Sequence, residues 1–428
     1  MRRILEIFRG RKRRAMLAAA ATGVLLLLVW AGDRSAQAMG SEQLQMKGLY
    51  LLSRIFHSAD RPLPPDILAV NIGYDRQLVP VTDPYGFPAG EIDVTHRGRL
   101  REFLEAIRGS GYRNVVLDVF FDAALPADGD SALFATLNAM ERVAVPRHHD
   151  AGVNPAINPA FTAWGDYGVN FNESSFVKYT FRSSEGESLA LKAFRHAGGE
   201  AFSGASPMEQ PSVFLRLPVT VRDPFTPDGE KTWYNLGADL LDVYSPAELA
   251  AMAAGKTVVI GDFTTADMHD TYKDRVAGPV ILINALGALE RGDQRVSLLS
   301  ALLMAWVFFL ICFCMLTGET PWGMLELHPG PIVVFCLNML GFSVGLAVLW
   351  AVLYGLFGEM HDAFLPGVFL SVLALFSAKL NKKYPLCPYV TLKKCYSYSL
   401  RRLAALAPAR TSKSSPSTPP QSTSEADS

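Results

Sequence analysis

Apolar residues along this chain follow two rhythms. In four places they run on without a charge: residues 15–31 (AMLAAAATGVLLLLVWA), 297–317 (SLLSALLMAWVFFLICFCMLT), 331–357 (PIVVFCLNMLGFSVGLAVLWAVLYGLF) and 363–378 (AFLPGVFLSVLALFSA). About 17–25 apolar residues cross a bilayer as a helix, so each run predicts a membrane span, the last by borrowing flanking residues. Over residues 45–295 the rhythm changes to short runs rich in Val, Ile and Phe. Residues 66–72 (DILAVNI), 114–121 (NVVLDVFF), 142–146 (RVAVP), 257–260 (TVVI) and 279–283 (PVILI) read as strands. Their continuous apolar character predicts a sheet covered on both faces, as parallel sheets are. Amphipathic helices lie between them. Residues 97–110 set Leu100, Phe103, Leu104 and Ile107 on one stripe, closed by Gly109 and Gly111. Residues 131–141 repeat the pattern behind a candidate N-cap, Asp130, and Ser245-Pro-Ala-Glu248 has capping-box spacing. Residues 150–235 break the alternation and predict a mixed lobe with β-leaning stretches at 176–181 and 213–221. The expected fold class is an α/β domain, largely parallel sheet with flanking helices and a mixed central lobe, joined to α-helical membrane spans.

Charge sharpens the division. Residues 1–14 hold seven Lys/Arg and one acid, residues 379–428 nine and two, and residues 32–296 hold 24 against 34. The formal charge of −1 is therefore a cancellation between two basic ends and an acidic middle. By the positive-inside tendency both termini are expected in the cytoplasm and the acidic domain outside it. The pattern Ala36-Gln-Ala38 would suit cleavage of a signal peptide, but the first apolar run exceeds the usual ~7–15-residue signal core, which favours an uncleaved anchor. All five cysteines fall after residue 311, so the expected exported domain relies on its own core instead of disulfides. Gly341 and Gly345 offer a small-xxx-small face for helix packing. Residues 379–410 form a basic juxtamembrane segment, and the polar 411–428 tail is expected to be disordered.

Candidate chemistry gathers after the strands. Ligands of open α/β sheets sit beyond the carboxyl ends of the strands. There the 66–72 run leads to Asp75, the 114–121 run carries Asp118 and leads to Asp122, and the 257–260 run opens "GDFTTADMHD" with Asp262, Asp267 and His269. If these strands are parallel neighbours, the carboxylates converge. Three uses stay open: structural hydrogen bonding, a ligand pocket, and metal or acid–base chemistry. Asp262, directly after Gly261, suits a structural role, whereas Asp267 and His269 suit the pocket. Zinc would want more His or Cys than His269 supplies. His148-His149 reads as exposed loop chemistry. No H-E-x-x-H, P-loop or kinase motif occurs, so no enzyme, cofactor or metal is expected.

With these residues in view, "NVVLDVFFD", "ADGDSALFATL", "SLALKAF" and "VVIGDFTTADMHDTY" followed by "VAGPVILINALGAL" resemble the second class of CHASE domains, sensors of bacterial signalling proteins. One N-terminal anchor, an exported domain and three closely spaced C-terminal spans match that family's layout, over residues ~45–380. The resemblance implies that Gly261-Asp262, Asp267, His269 and Thr271 form a recurrent motif and that Asp118 and Asp122 match an acidic strand end. Tyr272 stands where proline would be commoner. Family members often continue into a kinase or cyclase, while only about 50 residues follow the last run here. The expectation is a sensor in the bacterial inner or plasma membrane that binds an extracytoplasmic ligand. It would relay to a separate cytoplasmic or membrane partner, without nucleic acid, self-association as a homodimer being left open. The alternatives are a divalent-ion-dependent membrane-anchored hydrolase and an envelope docking protein.

Overall fold

The structure is a computed structural model. It describes residues 2–35, 42–56, 61–148, 154–165, 171–172, 175–200, 202–219, 221, 223–226, 229–264, 266–318, 345–346, 348–361 and 363–383.

Six short strands build the sheet: β1 (Ile67–Asn71), β2 (Asn114–Leu117), β3 (Val143–Arg147), β4 (Thr162–Trp164), β5 (Tyr234–Asn235) and β6 (Thr257–Gly261). Their order is β5–β1–β6–β2–β3–β4, and every pairing is parallel. Successive side chains of a strand point to opposite faces, and the two faces here differ in bulk. Leu68, Val70, Val115, Leu117, Val143, Val145, Val258 and Ile260 point to one face. There they meet the helices α3 (Arg97–Ile107), α4 (Asp130–Asn138) and α6 (Pro246–Ala253) through Leu100, Phe103, Leu133, Leu137 and Leu249. The other face carries smaller groups, Ala69, Val116, Ala144, Ala163 and Val259. Helices α5 (Leu189–His196) and α7 (Gly278–Arg291) cover it.

Several sequence expectations hold. Helix α3 ends as its glycines predict, with Gly109 and Gly111 at positive φ, and Ser245 and Glu248 complete their capping box. The β-leaning stretches of the lobe pair as antiparallel strands, Lys178–Thr180 with Ser212–Phe214. Others are corrected. Residues 279–283 are not a strand but the first turns of α7, with Pro279 in the initial turn and Gly292 as the left-handed C-cap. Asp130 is the first residue of α4, not its cap; the cap is Gly129, at φ 92°. Strand β2 stops at Leu117, which leaves Asp118 in the following loop. The lobe is not a simple insertion either, because it supplies both edge strands of the sheet, β4 and β5.

Among the described residues three helices are long and apolar enough to cross a membrane: Lys12–Arg34 within α1 (Arg2–Arg34), α8 (Leu298–Thr317), and Phe364–Asn381 within α10 (Phe364–Lys383). A shorter apolar helix, α9 (Val348–Phe357), is what the described residues contain of the expected 331–357 span. All four pack together. Ala18, Leu25 and Val29 meet Met304, Phe308, Cys312, Trp350, Leu353 and Leu370. Helix α1 therefore belongs to the same bundle as the C-terminal helices. Arg14 reaches the Leu316 carbonyl and the Asn381 side chain, so the start of the apolar stretch of α1 and the ends of α8 and α10 share one end of the bundle. Among the described residues nothing stands within 4 Å of where a Gly345 Cβ would lie. Gly341, the Ala36-Gln-Ala38 pattern, and the 384–410 and 411–428 segments lie outside the described residues.

Candidate functional site

Register sets the site. Asn71 pairs with Gly261 and Ile260 with Leu117, so the carboxyl ends of β1, β6 and β2 stand level. The next residues leave together: Ile72 N–H donates to the Gly261 carbonyl at 3.0 Å, and Asp118 N–H to the Ile260 carbonyl at 2.7 Å. Gly261 is still strand. A Cβ there would overlap the Pro279 ring and press on Asp118. The glycine therefore serves close approach between neighbours.

Beyond these ends lies a cavity of about 310 Å³. Asp118, Asp262 and Asp267 line it with Asp93, Arg76, Arg97 and His148. The expected convergence of carboxylates thus occurs for three of the candidates.

Each plays a different part. Asp262 is buried and saturated. One oxygen accepts from the Thr264 N–H and hydroxyl at 2.8 and 2.9 Å, the other from Arg76 Nη2 at 2.7 Å and Ala266 N–H at 3.2 Å. Such a carboxylate organises its own loop. Asn71 assists, its side-chain oxygen accepting from the Gly73 and Phe263 N–H groups. Asp267 lies farther along, over the first residue of α7, where the helix N-terminus favours negative charge. Its carboxylate meets His269 Nε2 at 2.7 Å, and its carbonyl accepts from Gly278 N–H at 2.8 Å.

Three candidates fall away from the cavity. Asp122 accepts from Ala124 N–H, a local turn ahead of α4. Thr271 closes the hairpin between strands Met268–Asp270 and Arg275–Ala277; its hydroxyl donates to the Asp274 carbonyl and accepts from the Lys273 and Asp274 N–H groups. Asp75 binds Arg99 at 2.5 Å and Gly237 N–H at 3.1 Å. Polar side chains next to free backbone N–H groups satisfy local turns first, and that competition won at Asp122 and Thr271. His269 supports Asp267 without lining the cavity itself.

Arg76 and Arg97 were missed. Arg97 is buried, stacks over the Phe121 ring at 4.7 Å and pairs with Asp130 at 2.8 Å. Burial pushes its guanidinium pKa down, against the opposing pull of Asp130. A signal existed: Arg97 stands three residues before Leu100, on the apolar stripe of α3, where an arginine is buried only with a partner. His148 is held edge-on to Phe120 at 4.6 Å, and His149 lies outside the described residues.

The arrangement presents carboxylates beside guanidinium groups in a concave, half-enclosed space. That suits a small polar ligand carrying donors or both signs of charge. Among the described residues no group of three or more His, Cys, Asp or Glu side chains is placed to hold a metal ion.

On its opposite side the motif hairpin faces the apolar helical bundle. Tyr272 is buried, accepts a hydrogen bond from Leu217 N–H at 3.0 Å, and stands edge-on to Tyr50 of helix α2 (Glu42–Phe56) at 6.5 Å. Burial raises its phenol pKa. Next along, Arg216 lies over the Tyr354 ring of α9 at 5.7 Å and pairs with Asp293 at 2.6 Å. Comparison with protein-family models, with curated proteins and with solved structures returns no match.

Proposed function

We propose that the chain is a membrane-anchored, non-enzymatic sensor of the kind its CHASE resemblance implies. The α/β domain lies outside the cytoplasm, takes a small polar ligand into the cavity at the sheet's carboxyl edge, and passes the change to a separate partner. The observation that carries this reading is one continuous set of contacts. The hairpin that begins beside Asp267 at the cavity holds Tyr272 against Leu217, and Arg216 beside it reaches Tyr354 of α9. A ligand that shifts Asp267 moves an element already docked on a membrane helix. Cytoplasmic ends are supported by the basic residues at 1–14 and 379–383, since the apolar stretch of α1 begins and α10 finishes at the same end of the bundle.

The test uses the full chain in lipid nanodiscs and pools of small polar compounds, read by thermal unfolding. A ligand at 100 times its Kd stabilises by about 2.7 kcal/mol, a shift of roughly 5–10 °C for a domain of this size. Asp118→Asn is expected to abolish that shift. Tyr272→Phe is expected to keep it while uncoupling the ligand-induced change in tryptophan fluorescence of the bundle. An unaltered ligand response in Asp118→Asn would remove the cavity from the proposal. Reporter fusions after Ser428 and within residues 202–206 test the topology, and a cytoplasmic signal from the internal fusion overturns it.

A further inference from the structure

A second group of ionisable side chains lies away from the cavity, where the bundle meets the α/β domain. Asp33 comes from the last turn of α1, Glu359 and His361 from the connection between α9 and α10, and Gln210 from a loop of the domain. His361 Nδ1 is 2.7 Å from Asp33 Oδ2, and its Nε2 is 3.5 Å from Glu359 Oε2. Gln210 Nε2 donates to the same Asp33 oxygen at 2.9 Å. Glu359 also accepts from Ser297 N–H, the cap of α8, at 2.7 Å. The side chains of His361, Glu359 and Asp33 are only 1, 4 and 6% exposed. Four separate elements are thus held at one imidazole.

The surrounding charges are committed elsewhere. Arg34 donates to the carbonyls of Gly204, Ser206 and Glu209, and Lys178 to those of Gly32 and Ser35. The Glu209 carboxylate accepts from Ser203, and Arg295 pairs with Glu200. The ring of Trp350 packs on His361 at 5.4 Å. A cavity of about 180 Å³, walled by Leu26, Trp30 and Met304, opens beside Asp33 and His361. Protonated, the imidazole satisfies both carboxylates. Deprotonated, it leaves two like charges buried together, which burial makes costly.

We propose that Asp33, Glu359 and His361 form a proton-binding site that latches the α/β domain to the membrane helices and releases it when the proton leaves. This goes beyond the ligand-sensing reading and does not depend on the cavity at the sheet. Burial alone would lower the imidazole pKa, but Asp33 and Glu359 outweigh it and carry it to about 9. A pKa raised on folding stabilises fully below the unfolded value, about 6.5, and the gain is lost as pH rises through the folded one. The latch therefore holds at neutral pH and opens on the alkaline side.

The full chain in nanodiscs tests it through thermal unfolding between pH 6.5 and 10, together with limited trypsin cleavage after Arg34, normalised to a free peptide substrate. Wild type is expected to lose Tm progressively from about pH 6.5 to 9.5 and to become cleavable toward the alkaline end of that range. His361→Gln should start with a lower Tm, show no further loss over that range, and be cleaved readily at pH 7.5. If that variant does not fold, Glu359→Gln serves: with one carboxylate fewer, its transition should move to lower pH. A wild-type profile flat from about pH 6.5 to 9.5, a variant that keeps the wild-type profile, or cleavage that does not follow the transition would overturn the proposal.

Discussion

Replacing Asp262 by alanine separates its role from that of Asp267. The Asp262 side chain is 6% exposed and accepts four hydrogen bonds, two from backbone N–H groups and one from a guanidinium. Removing it strands the Thr264 and Ala266 N–H groups and the Arg76 charge. A buried donor left without its partner costs about 1–3 kcal/mol. Two circumstances keep the sum low: Arg76 is 27% exposed and regains water, and the adjoining cavity admits water to the loop. The expected cost is about 2–3 kcal/mol, from bonds made to a charged acceptor. At roughly 2–4 °C per kcal/mol this lowers Tm by about 4–12 °C. Asp267 and His269 are 30 and 20% exposed. Both side chains still reach solvent, and their hydrogen bond is expected to be worth about 1 kcal/mol, so Asp267→Ala should move Tm by less than roughly 4 °C. The assay is thermal unfolding of both variants in the full chain at neutral pH. An Asp262→Ala protein melting within a degree of wild type, or an Asp267→Ala protein falling as far as Asp262→Ala, refutes the assignment.

Gly278→Ala should destabilise the domain because a Cβ there would overlap the Asp267 carboxylate, and most of that loss should vanish in an Asp267→Gly background; equal losses in both backgrounds would mean the clash is not with Asp267. Stability should also fall in acid through Glu187, which burial pushes up but hydrogen bonds from Arg195 and Lys192 hold below the ordinary carboxylate range. A depressed pKa gives stability present above the unfolded value, about 4.3, and lost as pH falls through the folded one. Glu187→Gln should therefore lower Tm at pH 6 and shrink the drop between pH 5 and 3; an unchanged acid limb would assign that drop to other carboxylates.

What the sequence reveals depends on how far each element is exposed. Helix α3 was legible because one stripe is apolar and the rest is polar, so its period shows. Helix α7 was not. Every residue from Gly278 to Leu286 is buried, and a helix without a polar face has no period to separate it from a buried strand. Pro279 followed by a long apolar run, with Gly292 behind it, was the better signal, since proline opens helices and glycine closes them. Edge strands β4 and β5 contain three and two residues, too few to register as a pattern. The site followed the same rule. Asp118, Asp262 and Asp267 were found because residues after parallel neighbouring strands must emerge together. Arg76 and Arg97 reach the cavity from a hairpin and a helix, whose placement depends on tertiary packing that no local pattern encodes.

The fate of the first apolar segment turns on one lysine. In the sequence, the Ala36-Gln-Ala38 pattern and the length of the apolar run pull in opposite directions. In the structure, Lys178 is fully buried and its ammonium donates to the Gly32 and Ser35 carbonyls at the end of α1, at 3.0 and 3.2 Å. The Phe214 ring lies 4.6 Å away, and the lysine stands on a strand paired with Phe214's own. Removing α1 would take both carbonyls from that charge. Helix carbonyl ends favour a cation, so α1 supplies what the lysine needs. Arg34 makes a parallel set of bonds to the 204–209 loop. Removing the segment would therefore break two sets of bonds that join it to the α/β domain, so in the folded chain the first apolar segment and the domain form one unit.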